Sequence, residues 1–136
     1  MASLIYDATL DHVVRAEIDF ADDAFKCLLV TAGYMPDKTT HVHRSDVTNE
    51  VAASGSYVAG GLSADVDVIN AAGTLDITLG AVSATNATIT ARGAVYYKDT
   101  GNAGSDALVA YIDFGSDVTS TAGTFSLTAS TLRLQN

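Results

Sequence analysis

The residues best equipped for chemistry in this chain are three histidines, one cysteine and a scatter of aspartates. His41 and His43 are two apart, so an extended segment places both imidazoles on one side, a spacing that suits a metal ion. His12 or Asp46 could supply a third ligand, but nothing in the sequence brings either to the pair. Asp99, Asn102 and Asp106, and separately Asp65 and Asp67, offer the oxygens that calcium takes. Their spacing is not that of an EF-hand loop, and turn chemistry alone accounts for the residues around Gly101 and Gly104. Cys27 stands alone in the apolar run FKCLLVT, as a small buried hydrophobe would rather than a nucleophile. No serine lies in a G-x-S-x-G elbow, and Ala59-Gly60-Gly61 is neither a phosphate loop nor a dinucleotide fingerprint. Paired acids for glycoside hydrolysis would want aromatic sugar platforms, and the chain has no tryptophan. The expectation is a protein without catalytic residues, metal or cofactor.

The elements that position these residues read as β-rich. At 136 residues the chain fits one domain, residues 1–136, with a core that needs no disulfide. Charged residues make up 17%, against about 25% in an average soluble domain, and the acids are nearly all aspartate, with glutamate only at 17 and 50. Aspartate favours turns, while the many threonines and valines favour strands. Residues 87–115 read as a β-hairpin. Ile89, Ala91, Gly93, Val95 and Tyr97 fall on one face of its first strand, and Leu108, Ala110, Ile112 and Phe114 on one face of its second. The loop of residues 99–107 is longer than a tight reversal needs.

The best helix candidate is residues 4–16, with Tyr6, Leu10, Val13 and Val14 as its apolar stripe. An extended piece at 17–20, a turn at Asp22-Asp23 and a continuous apolar strand at 25–31 follow. Residues 33–50 form a polar insert holding the only proline, Pro36, with one helical turn expected at 40–46. Residues 62–69 and 74–79 alternate as strands around a turn at 70–73, and 124–128 and 132–135 close the chain. The fold class expected is mainly β, an antiparallel sandwich or barrel-like domain with a short N-terminal helix.

The formal net charge of −9 repels phosphate backbones, and the few basic residues do not cluster, so a nucleic-acid partner is not expected. No run reaches 18 apolar residues, and MASLIYDATLDH lacks the basic region and long apolar core of a signal peptide. The expectation is synthesis in a cytoplasm, with no membrane partner. The candidate partner-binding residues are apolar ones in unusual places. Leu4, Ile5 and Tyr6 near one chain end and Leu132 and Leu134 near the other are apolar where ends normally fray. Tyr34 and Met35 open the polar insert, and Tyr96 is adjacent to Tyr97, so that one of the two points away from the main core.

The order LIYD, LD and VR, then IDF, D-x-FK-x-LLVT-x-x-Y-x-P-x-K-x-x-H, RSDVTNEV, G-x-Y-x-A-GG, ATITARGAVYYKDTG and LVAYIDFGSDV resembles a group of small virion proteins of tailed bacteriophages. The resemblance spans nearly the whole chain and is most specific at 24–51 and 86–118. It implies a structural role similar to that of capsid decoration, or cement, proteins. Its implied partner is the major capsid protein and its implied location the outer surface of the shell, with a homo-oligomer (trimer or dimer) as the binding unit. The alternative it leaves open is a tail, neck or fibre-associated component that binds host-surface carbohydrate.

Overall fold

A computed structural model describes residues 2–135. The chain forms β1 (Leu4–Ile5), α1 (Asp7–Val14), β2 (Phe25–Val30), a 3-10 turn (Arg44–Asp46), β3 (Leu62–Ala64), β4 (Val66–Ala71), β5 (Thr74–Leu79), β6 (Val82–Lys98), β7 (Leu108–Leu127) and β8 (Ser130–Gln135). They make two antiparallel sheets, ordered β1-β7-β6-β2-β3 and β4-β5-β8. The fold is mainly β with a short N-terminal helix, as the composition implies.

The larger sheet is buried on both faces where β2 lies beside residues 94–97 of β6 and 108–111 of β7, while the far half of the β6–β7 ribbon is exposed on one face. On one, Cys27, Leu29, Ala94, Tyr96 and Phe125 pack with Ile77 and Leu79 of the smaller sheet and with Ile18 and Phe20. On the other, Leu28, Val30, Val95, Tyr97, Leu108 and Tyr111 pack with Tyr6, Tyr34 and Val47. Two-sided burial is why β2 reads as an unbroken apolar run from Cys27 to Val30. The polar insert therefore serves as a lid over the second face. Its backbone also completes the edge of β2 beyond β3: Thr31 donates to Asn49, and Val51 donates to Leu29. The amide of Leu29 donates to the hydroxyl of Tyr57, which donates in turn to Glu50.

The hairpin at 87–115 is present, but its faces differ from simple alternation. A register shift between Ala91 and Gly93 sends Ile89 and Ala91 to the same face as Ala94 and Tyr96, and Val95 and Tyr97 to the other. A second shift, at Tyr96/Tyr97, puts Leu108 opposite Val109, Ala110 and Phe114. At the first, residues 114–117 of β7 stand against Arg92 alone, and at the second Val109 is a single extra residue; each irregularity exchanges the faces beyond it. Gly93 permits the first. A Cβ there would lie 2.6 Å from the ring of Tyr111, which crosses over the glycine from the neighbouring strand.

Other expectations are corrected by pairing partners that lie far away in sequence. Leu4 and Ile5 form no helical turn, because the edge of β7 takes them as a strand against Tyr111 and Ala110. The segment at 17–20 is no strand: Ala16 turns into the left-handed region, and the Glu17 and Ile18 amides fold back onto the His12 carbonyl. Residues 62–69 are two strands in different sheets, split at Asp65, whose carbonyl accepts from Gly80 where the chain crosses back. The turn at 70–73 is a two-residue reversal, with Ala72 and Gly73 both at positive φ. The helical turn expected at 40–46 is the 3-10 turn at its C-terminal end.

Replacing Gly93 by valine forces Tyr111 out of its place. The expected cost is about 1–3 kcal/mol, read as a lower urea midpoint at unchanged slope.

Candidate functional site

The chemistry-bearing residues are separated or occupied by the fold. His41 stacks on Tyr34 with ring centroids 5.6 Å apart, while His43 faces His12 at 5.9 Å, so the pair does not converge. The Asp37 amide donates to Nδ1 of His41, which makes that nitrogen an acceptor. Tyr34 therefore donates to it (2.9 Å) and accepts from Tyr6 (2.8 Å). Burial first, and the bond given to Tyr34 second, push the Tyr6 phenol far above its ordinary value. One Asp46 oxygen accepts the Val42 and His43 amides at the start of the 3-10 turn. Among the described residues no group of three His, Cys, Asp or Glu side chains converges as a metal site would require. Burial pushes the Cys27 thiol up to about 12, against a smaller lowering influence of the neighbouring Tyr96 hydroxyl, so it is a poor nucleophile.

The loop of residues 99–107 is organised around Asp106. Its buried carboxylate accepts from the amide and hydroxyl of Thr100, both at 2.7 Å, and from Arg44 at 2.8 Å. Arg44 also lies over the Tyr97 ring, 5.4 Å from its centroid. Burial alone would raise the Asp106 carboxyl, but the Thr100 hydroxyl, Arg44 and the Thr100 amide together hold it below its ordinary value. Asp99 pairs with Lys26, and Asn102 accepts from the Gly104 amide, so these oxygens also have protein partners.

What the fold leaves open is apolar. Half of the expected stripe of α1 packs inward, Tyr6 fully buried and Val13 against the main core. The helix is also held through Thr9, which donates to the carbonyls of Leu108 and Val109, and Thr9 and His12 are its buried residues. Two β7 carbonyls near the bulge need a donor, and a threonine hydroxyl reaches them. The helix is thereby rotated so that Leu10 is 56% and Val14 86% exposed. Across from this ridge the smaller sheet overhangs the core. The rows Val68–Ile77–Leu132 and Asn70–Leu75–Leu134 share one face, and Leu134 is 49% exposed.

Between the two lies a trench in three parts. An open groove of about 810 Å³ runs from Ser3, Leu4 and Ile5 of the first strand region to Ser130 and Leu132 of β8. An apolar slot of about 170 Å³ lies between Leu10, Val13 and Val14 of α1 and Ile77, Leu132 and Leu134 of the sheet. A further recess of about 360 Å³ continues past Ile18 and Phe20 to Val68 and Leu75.

Of the residues singled out in the sequence, Leu4, Ile5, Leu132 and Leu134 meet in this trench, although they come from opposite ends of the chain. Tyr6, Tyr34 and Tyr96 do not offer surface. Their rings are buried, and Tyr96 donates to the Gly80 carbonyl. Met35 is exposed, but on a different recess, beside Arg92 and Tyr111. Sequence reasoning missed Leu10 and Val14 as surface residues because their spacing looks like a core stripe. Thr9, an uncharged polar residue that can satisfy strand carbonyls, is the local signal for the other docking face.

Asp106→Asn removes the charge that holds Arg44 and is expected to cost about 2 kcal/mol near neutrality. Because the native carboxyl titrates below its ordinary value of 3.8, its contribution is complete above about pH 4. It drains as the pH falls through the native value, so the gap between wild type and variant narrows in acid. Urea midpoints at pH 7 and about pH 3 check this.

No family model, curated protein or solved structure matches the chain.

Proposed function

We propose that this protein is a structural component of a tailed-bacteriophage virion, a decoration protein that binds the outer surface of the major capsid shell and stabilises it. The observation that carries the reading is the docking of α1 through Thr9, which leaves Leu10 and Val14 outside, beside the exposed sheet residue Leu134. Contiguous exposed apolar surface of this kind marks an interaction site. The sequence blocks at 24–51 and 86–118 support the virion assignment by their resemblance. The formal charge of −9 supports it differently, since it disfavours DNA and keeps a protein soluble at the high concentration a decorated shell demands. Repeated sites on a shell give avidity, so each contact need be only modest.

The double variant Leu10→Asp/Val14→Asp alters exposed positions, and its unfolding midpoint should stay within about 0.5 kcal/mol of wild type. Its retention on purified shells should fall at least about tenfold, a loss of about 1.4 kcal/mol in the overall binding free energy. Quantifying copies per particle against the major capsid protein tests the location. A ratio near that of the shell lattice fits decoration, and a few copies per particle would instead place the protein at the tail or neck.

A further inference from the structure

We propose that the slot between α1 and β8 is an anchor pocket for one large apolar side chain, phenylalanine or leucine, on an extended, basic-flanked segment of a partner polypeptide. The inference deepens the docking role proposed above and rests on it for the partner.

Size selects the occupant. The slot holds about 170 Å³ and is walled by aliphatic side chains and Phe20. Drug-sized ligands occupy about 300–1,000 Å³, whereas an apolar cavity of about 150 Å³ accepts a single benzene. One phenyl or isobutyl group fills it, and the open groove of about 810 Å³ beside it has room for the main chain that carries that group. Burial of one such group in a desolvated pocket is how most interface energy is concentrated.

The edge strand supports an extended main chain. β8 pairs with β5 on one side and, among the described residues, with no strand on the other. Its Ser130–Leu132 stretch lines the same groove as β1, the edge of the larger sheet. A strand laid there would meet unpaired backbone groups, which is the requirement for strand addition.

Charge selects the flanks and argues against a second copy. Two acids line the trench on its helix bank, Asp7 in the groove, where Lys38 also stands, and Asp19 in the recess. Asp7 and Asp19 line the groove and the recess on either side of the slot and form no ion pair among the described residues. Arg133, at the slot, is neutralised by Asp76 at 2.7 Å. Two copies of a chain with net charge −9 repel, while a lysine or arginine two positions from the anchor finds Asp19 at one end and Asp7, beside Lys38, at the other.

The test uses the intact protein with labelled methyl groups and the peptide acetyl-Lys-Thr-Phe-Thr-Lys-amide, whose phenylalanine and lysines share one face when extended. Titration at low salt should shift the methyls of Leu10, Val13, Ile77, Leu132 and Leu134. A peptide with alanine at the centre should bind at least about tenfold more weakly, and one with glutamates for lysines should also weaken, most strongly at low salt. The variant Val13→Phe fills the slot and should abolish the shifts. Leu10→Asp, at a largely exposed position, should weaken them without changing the fold. Equal binding of the alanine peptide, shifts scattered away from the slot, or no shifts at all would overturn the proposal. So would shifts at the same methyls on concentrating the protein alone, since a second copy would then be the occupant. Peptide binding without retention on shells would uphold the slot and refute the capsid reading. Wild-type retention on shells with no slot response would do the reverse.

Discussion

Around β2 the larger sheet has two apolar faces and must have both covered. Nearly every other feature of the molecule answers that demand. Burial of a strand on both sides stabilises it strongly, but it requires a second layer on each side, and the chain has few regular elements left once β2, β6 and β7 are paired. The smaller sheet, with residues 18–25, covers one face. The other is covered by irregular backbone, tied down by Tyr34, Val47 and the Asp106–Arg44 pair. This explains why so many tyrosines are fully enclosed. Tyr6, Tyr57, Tyr96 and Tyr97 each fill a large apolar volume and carry a hydroxyl that can satisfy a nearby backbone or side-chain group.

The bulges in the long hairpin are the device that makes two cores from one alternating sequence. Without them, Ile89, Ala91, Val95 and Tyr97 would all face the same way, and the second face would be starved of bulk. With them, small residues collect where the smaller sheet approaches, and Val95, Tyr97 and Tyr111 collect under the polar insert. Val109 and Ala110 share a face for the same reason.

Local features of the sequence proved the most legible. The composition shows a β fold, the run FKCLLV shows a buried strand, and Gly101 with Gly104 shows the reversal between β6 and β7. What was not legible depends on partners distant in the chain. Nothing near Leu4 says that Tyr111 waits for it, and nothing within residues 62–69 says that the strand must break at Asp65 to change sheets. Helix α1 shows the limit well. Tyr6 and Val13 of its apolar stripe turn inward as the spacing implies, yet with Thr9 held by two strand carbonyls Leu10 and Val14 are left outside. The candidate site was therefore half visible. Leu132 and Leu134 were suspect for being apolar near a chain end, while Leu10 and Val14 were hidden by a pattern that ordinarily means core.

The trench is built from residues about 120 positions apart, with Ile5 and Leu10 on one bank and Leu132 and Leu134 on the other. Such contacts close the longest loops in the chain, so their entropy cost is met only after the hairpin and both covers are in place. A ribosome-bound chain that has emerged only as far as β7 can pair β1 with Tyr111, but it still lacks one wall of the trench. The trench and the finished fold thus arise together, since its second wall is complete only once β8 has paired with β5.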